Sequence, residues 1–376
     1  MERGGRRDAY WPRDSSIQGV NLSNRLRALD LFRGLTVVGM ILVNCSGSDE
    51  VYRMMDHAPW QGLTFADFVF PSFLLIVGVS AAFSQAARLG RGHRPAEIAR
   101  HAALRAGGLF LLGLLVNAVL YHGTSGVRLP GVLQRIALCS LGATAFLLLD
   151  RPALEPAVAA ALLAGYWLLL TRVPVPGHGA GVLTPEGNLA SWLDRRLIGG
   201  HMLTPLEDQE GILSTLPAFA TTLMGLIAGR ALVKERGTRA ALRLGAVGLA
   251  LAALGWAWSL SFPLNKHIWT SSFALLTGGS CLLGLACCMI GFGEEPGRWA
   301  APLESLGRHA LAAYVGSGFV YGVLEFIGVP LPYGSAKLWL NAHLFGFWLP
   351  PRAASLAFAV SFAALTAAVA RRADSK

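Results

Sequence analysis

Charged residues and Gly/Pro clusters cut this sequence into ten apolar runs, each close to the length a helix needs to cross the hydrocarbon core of a bilayer. The runs cover residues 29–48, 64–87, 106–121, 132–149, 155–171, 213–233, 242–262, 270–291, 304–327 and 352–370, the third and fifth being the shortest. A chain with this pattern cannot fold around a single water-soluble core. Only 14% of its 376 residues are charged against 53% hydrophobic, and most of the charges fall between the runs. The expected fold is all-α: a polytopic integral membrane protein of about ten transmembrane helices. Residues 329–350, rich in aromatics and broken by prolines and Gly334, read as an interfacial or re-entrant segment and not as an eleventh span.

The net charge of +10 could mean nucleic acid, an anionic substrate or anionic lipid, and the placement of the charges decides. With the N-terminus inside, the ten-span map puts 23 basic residues on cytoplasmic segments and nine on outer ones. Both termini are therefore expected in the cytoplasm, and the surplus suits lipid headgroups with no need for nucleic acid. The expected organisation is a basic N-terminal segment (1–28) that lacks the apolar core of a signal peptide, one transmembrane domain (29–371) and a short cytoplasmic tail (372–376). The long outer loop, about 172–212, is Gly- and Pro-rich and reads as a lid or rim over an aqueous site. The five cysteines lie in or beside apolar runs without metal-ligand spacing, so they read as packing residues and no metal is expected.

Polar side chains inside a bilayer are costly and point to function. Four outer loops carry them to one face: Asn44 with Asp56, His57, Trp60, Gln61 and Asp67; then Gln134 and Arg135; then Asp208, Gln209 and Glu210; then Asn265, Lys266, His267 and Trp269. Bland readings exist for several. Trp60 and Trp269 could anchor at the headgroups, Arg135 could snorkel, and Asp30 with Arg33 reads as a structural pair at a helix end. Asp67, one turn into an apolar run, needs a partner, which Arg135, Lys266 or His57 could supply. His309 could be a core hydrogen bonder or a substrate contact. A histidine with carboxylates and an amide donor is what acyl transfer requires: a base for the proton and a donor for the developing oxyanion. The same residues would serve a proton-coupled transporter.

Ordered motifs add a resemblance. RLRALDLFRGLTVVGMILVN at 25–44 and HAPWQGLTFADFVFP at 57–71 resemble the opening of the heparan-alpha-glucosaminide N-acetyltransferase family. PGVLQR at 130–135, EGILST at 210–215, PLNKHIWT at 263–270 and LGRHALAAY at 306–314 follow in the same order. Gln61 and His309 stand where that family usually has asparagine.

The resemblance implies a transmembrane acyltransferase that takes acetyl from cytoplasmic acetyl-CoA and delivers it to a glucosamine amino group across the membrane. It implies His57 as the catalytic residue, by base catalysis or through an acetyl-histidine, and Asn44 beside the acetyl group. Asp67 would then orient His57 or pair with a cation. Gln134 and Arg135 would hold the site together, and Trp60, Asn265, Lys266, Trp269 and His309 would serve the sugar. Arg33 is the inner cation assigned to CoA. The lysosomal members carry a further N-terminal span, so the expectation here is a relative in a bacterial inner membrane, acting on a cell-wall or recycled amino sugar, with a homodimer implied by the family. The rival class is an amino-sugar transporter, against which stands the lack of an internal repeat.

Overall fold

A helix satisfies all its own backbone hydrogen bonds, so apolar runs placed in hydrocarbon become helices. The computed structural model describes residues 26–120, 126–293 and 297–374. Residues 1–25, with Arg3, Arg6, Arg7, Arg13 and Arg25, and the terminal Lys376 lie outside the described residues, so the basic N-terminal segment is described only from Leu26.

Among the described residues there are thirteen α-helices: α1 (Arg27–Asn44), α2 (Val69–Gly90), α3 (Pro95–Leu120), α4 (Val132–Leu149), α5 (Leu154–Arg172), α6 (Leu189–Leu197), α7 (Thr215–Lys234), α8 (Thr238–Ser259), α9 (Ser271–Phe292), α10 (Ala301–Arg308), α11 (Ala310–Phe326), α12 (Ala336–Asn341) and α13 (Pro351–Asp374). Eight are long and apolar enough to cross a membrane: α2, with the short turn before it, α3, α4, α5, α7, α8, α9 and α13. The protein is an all-α, multi-pass membrane protein.

The other two expected spans are helical and differ for clear reasons. α1 carries Arg27, Asp30 and Arg33 in its first two turns, which lowers its apolar character. The ninth run breaks at His309, where φ −101° and ψ 23° leave the helical region and divide α10 from the 17-residue α11. α3 starts at Pro95, well before the expected 106, because the polar stretch after Pro95 is continuous with the apolar helix. Residues 329–350 contain no helix long enough to span. A ribbon pairs β1 (Gly328–Val329) with β2 (Gly334–Ser335), and α12 and one π-helical turn follow.

α2, α7 and α9 form the centre of the bundle, their apolar windows 61%, 72% and 67% buried, against 17% for α3 and 33% for α8. The exposed leucines of α3 and α8 (Leu104, Leu111, Leu115, Leu242, Leu249) then face lipid. Close approach at the centre depends on missing side chains. A Cβ on Gly78 of α2 would lie 2.0 Å from the Thr222 carbonyl of α7, and one on Gly225 would lie 2.1 Å from the Leu75 carbonyl. At the other wall Gly34 and Gly307 bring α1 and α10 together in the same way. These two tight seams leave room between α1, α2, α3 and α4, and there the cavity lies.

Candidate active site

Thr64-Phe65-Ala66-Asp67 is a capping sequence, and it builds the turn that opens α2: Asp67 Oδ2 accepts from the Thr64 N–H at 2.9 Å and from the Thr64 hydroxyl at 3.1 Å. The box fixes the carboxylate, which is fully buried, and leaves its other oxygen for His57. Nδ1 of His57 lies 2.9 Å from Asp67 Oδ1. Nζ of Lys266 stands 3.0 Å from both ring nitrogens of His57 and 3.8 Å from Asp67 Oδ1. Of the three partners open to Asp67 in the sequence, the fold selects His57 and Lys266; Arg135 is not one of them.

Lys266 is held by a tight turn. Trp269 N–H donates to the Lys266 carbonyl at 3.1 Å and Thr270 N–H to Asn265 O at 3.0 Å, while Asn265 Oδ1 accepts from Ile268 N–H at 3.1 Å. Trp269 adopts φ 49°, a left-handed conformation uncommon outside glycine and retained because its ring is locked between Phe70 and Phe273. Burial pushes the Lys266 amine below the ordinary lysine range, an effect opposed by the charges of Asp67 and Glu210. An amine so placed gives up its proton more easily than one in water.

The other polar loops converge on the same group. Gly62 N–H donates to the Leu264 carbonyl, Trp60 Nε1 to Leu183 O of the long loop at 2.8 Å, and the His267 ring packs against Trp60 at a 42° tilt with Nδ1 2.8 Å from Glu207. Arg128 clamps Asp208, with Nε 2.8 Å and Nη2 2.6 Å from its oxygens, and also pairs with Glu210. Two carboxylates on one buried guanidinium hold its proton above the ordinary arginine range. Arg135, 1% exposed, does not snorkel; it turns inward and donates to Gly211 O at 3.1 Å and to the Ser214 hydroxyl.

A single cavity of about 540 Å³ starts at this group. Asn44, His57, Lys266, Arg128 and Glu210 line one end; Arg33, Ser80, Arg88, Arg105 and Arg308 line the other. Because α1 runs between them, from Arg33 near its start to Asn44 at its last residue, the two ends are separated by roughly 15 Å of helix rise. Apolar side chains such as Val69, Phe73, Ile136 and Leu311 form the walls between. The Asn44 side chain is exposed to the cavity, and its amide takes no hydrogen bond from the described residues, so it is free to donate.

Site residues expected from sequence divide accordingly. Asn44, His57 and Lys266 line the first end of the cavity, with Asp67 directly behind His57. Gln134, Arg135, Asn265 and Trp269 are buried behind that wall, and Trp60 sits over the rim with His267. Arg33 lines the far end, bonded to Asp30 at 2.9 Å and to the Ser80 hydroxyl at 2.7 Å. His309 is also at the far end, 3.0 Å from Asp374, so it is not brought together with His57. Sequence reasoning gathered Glu210 with the other polar loop residues without giving it a role, and did not single out Arg128, Ser80, Arg88, Arg105 or Arg308 as site residues. The inner arginines were visible as a charge excess without an order, and nothing in the sequence links Arg128 to a carboxylate 80 positions later. Among the described residues no three His, Cys, Asp or Glu side chains converge as a metal site needs.

Comparison with known proteins shows the family. Residues 25–267 match the family model described as heparan-alpha-glucosaminide N-acetyltransferase, catalytic. A mouse protein named heparan-alpha-glucosaminide N-acetyltransferase is 30% identical over 354 residues, covering 78% of this chain and 53% of its own length. The human protein of that name is 29% identical over 374 residues, covering 81% of this chain and 55% of its own length. The chain thus spans about half the length of the curated relatives it matches.

Proposed function

The chain belongs to the heparan-alpha-glucosaminide N-acetyltransferase catalytic family, and from that premise we propose that it moves an acetyl group from acetyl-CoA to the amine of a glucosamine-type sugar through its cavity. The observation that carries the reading is the cavity's two-ended lining: a His–Asp–Lys group with a free amide at one end, four arginines at the other.

The arginine end fits the phosphates of CoA, since guanidinium groups pair with phosphate oxygens in a planar fork. That end would face the cytoplasm of a bacterial inner membrane, and the sugar would arrive at the other face below the 172–212 rim. Asp67 holds the Nδ1 proton of His57 and so directs the Nε2 lone pair toward the cavity. His57 then takes a proton from the attacking nitrogen as the C–N bond forms and the C–S bond breaks, and that proton leaves with the thiolate as CoA–SH. Since the sugar arrives as an ammonium ion, one further proton is released, and the charges balance: acetyl-S-CoA plus R–NH₃⁺ gives R–NH–acetyl, HS-CoA and H⁺. Asn44 donates its amide N–H to the developing oxyanion, and Lys266 relays the released proton. A homodimer, implied by the resemblance, is compatible with this reading and is not required by it.

The test is purified protein in proteoliposomes with radiolabelled acetyl-CoA and glucosamine, comparing wild type with His57→Ala. Labelled N-acetylglucosamine should form with wild type and fall about 10²- to 10⁴-fold in the variant. Equal product from both would remove His57 from the chemistry, and sugar uptake without any acetylated product would make the protein a transporter.

A further inference from the structure

Glu210 has no role in the proton transfer above, yet it is placed to meet the acceptor. Its side chain is 92% buried, it lines the cavity at the end that holds His57 and Lys266, and its charge acts on Lys266. Arg128 holds one of its oxygens; among the described residues the other accepts no hydrogen bond. The neighbouring Asp208 is different. It takes Arg128 and the Leu203 and Glu210 N–H groups, is fully buried and does not line the cavity.

The charges around this end are arranged for a cation. Asp67, Glu207, Asp208 and Glu210 stand on the elements that converge there, four carboxylates against Arg128, the buried Arg135 behind the wall and a lysine whose charge burial disfavours. The far end carries arginines instead. An anionic donor and a cationic acceptor would therefore each find the complementary end.

We propose that the open oxygen of the Glu210 carboxylate binds the ammonium group of the acceptor, so that the site selects amines over hydroxyls. Arg128 presents the carboxylate and Asp208 saturates the rest of the guanidinium, which keeps Arg128 from consuming both Glu210 oxygens. The acetylated product is a neutral amide with no claim on the carboxylate, so acetylation itself weakens the product's hold on the site. This inference rests on the amine-acetylating reading above and adds the group that recognises the acceptor.

The experiment compares wild type, Glu210→Gln and Glu210→Asp in detergent, using glucosamine as acceptor and N-acetylglucosamine as neutral competitor. The expected result for Glu210→Gln is a KM for glucosamine raised about tenfold or more, with KM for acetyl-CoA and inhibition by N-acetylglucosamine unchanged. Glu210→Asp, which keeps the charge on a shorter stem, retains a preference for glucosamine over N-acetylglucosamine. An equal loss toward all three ligands, or no change in the glucosamine KM, overturns the assignment. If wild type forms no acetylated sugar, the reading of the function fails. Calorimetric titration of the two sugars then judges Glu210 on its own: loss of the preference for glucosamine in Glu210→Gln supports it, and identical titrations in wild type and variant overturn it.

Discussion

The two ends of the cavity are built in opposite ways. At the His57 end, proposed to be the outer one, the polar groups are buried or half-buried and bonded to each other across four loops, so His57, Asp67 and Lys266 sit in one fixed geometry. At the arginine end, proposed to be the inner one, Arg33 and Arg308 pair with Asp30 and Asp374, while Arg88 and Arg105 are half-buried to exposed on long side chains, the Arg88 guanidinium bonded to His101 at 3.0 Å. Precision is needed where a bond is made and broken, and reach is enough where a phosphate is held by charge. Buried networks tolerate no missing member, whereas exposed charges are individually weak. Substitutions at the two ends should therefore fail differently.

The largest effect is expected at the outer clamp. Arg128→Met leaves Asp208 and Glu210 as buried, unpaired carboxylates, and should destabilise the fold by about 3–5 kcal/mol, seen as a lower melting temperature and early proteolysis in the 172–212 loop. Retention of the wild-type melting temperature would mean that the outer end is not the rigid network described.

A smaller effect should come from Asp194 on α6, whose carboxyl burial pushes up to about 6 while it accepts from Ile212 N–H at 2.9 Å. The folded protein holds this proton more tightly than the unfolded chain. Its stabilising contribution is whole below pH 3.8 and is lost as pH rises through about 6. Asp194→Asn keeps an oxygen for Ile212 and removes the charge, so it should raise stability at pH 8 by up to about 2–3 kcal/mol and give no gain at pH 3.5. Parallel melting curves at the two pH values check this.

The smallest effects belong to the inner end. Arg88→Ala and Arg105→Ala should each raise KM for acetyl-CoA about threefold to tenfold, with kcat unchanged and the difference shrinking at high salt. A fall in kcat instead would show that the inner end shares in the chemistry.

Much of this organisation was legible in sequence, and what was not has physical reasons. Hydropathy over twenty residues is a local property, so the long helices followed from it; α3 and the break at His309 did not, because a polar helix extension and a single non-helical residue leave no hydropathy trace. The polar loops marked residues that the fold does bring together at one end of the cavity. Which residues there meet is a tertiary matter: Asp67 had three possible cations in the sequence, and the capping box with the 265–270 turn chose His57 and Lys266. Trp269 and Asn265 looked like sugar contacts because a tryptophan and an amide near an interface suit that role. They instead shape the turn that presents Lys266, one as its buried anchor and the other as its backbone acceptor.

The central claim is that acetyl passes between two ends of one cavity that face opposite sides of a membrane. Oriented proteoliposomes loaded with glucosamine, with radiolabelled acetyl-CoA supplied only outside, test it directly. The account predicts labelled N-acetylglucosamine inside the vesicles for molecules with the arginine end outward, abolished by His57→Ala. Product formed only on the side that holds acetyl-CoA would contradict it.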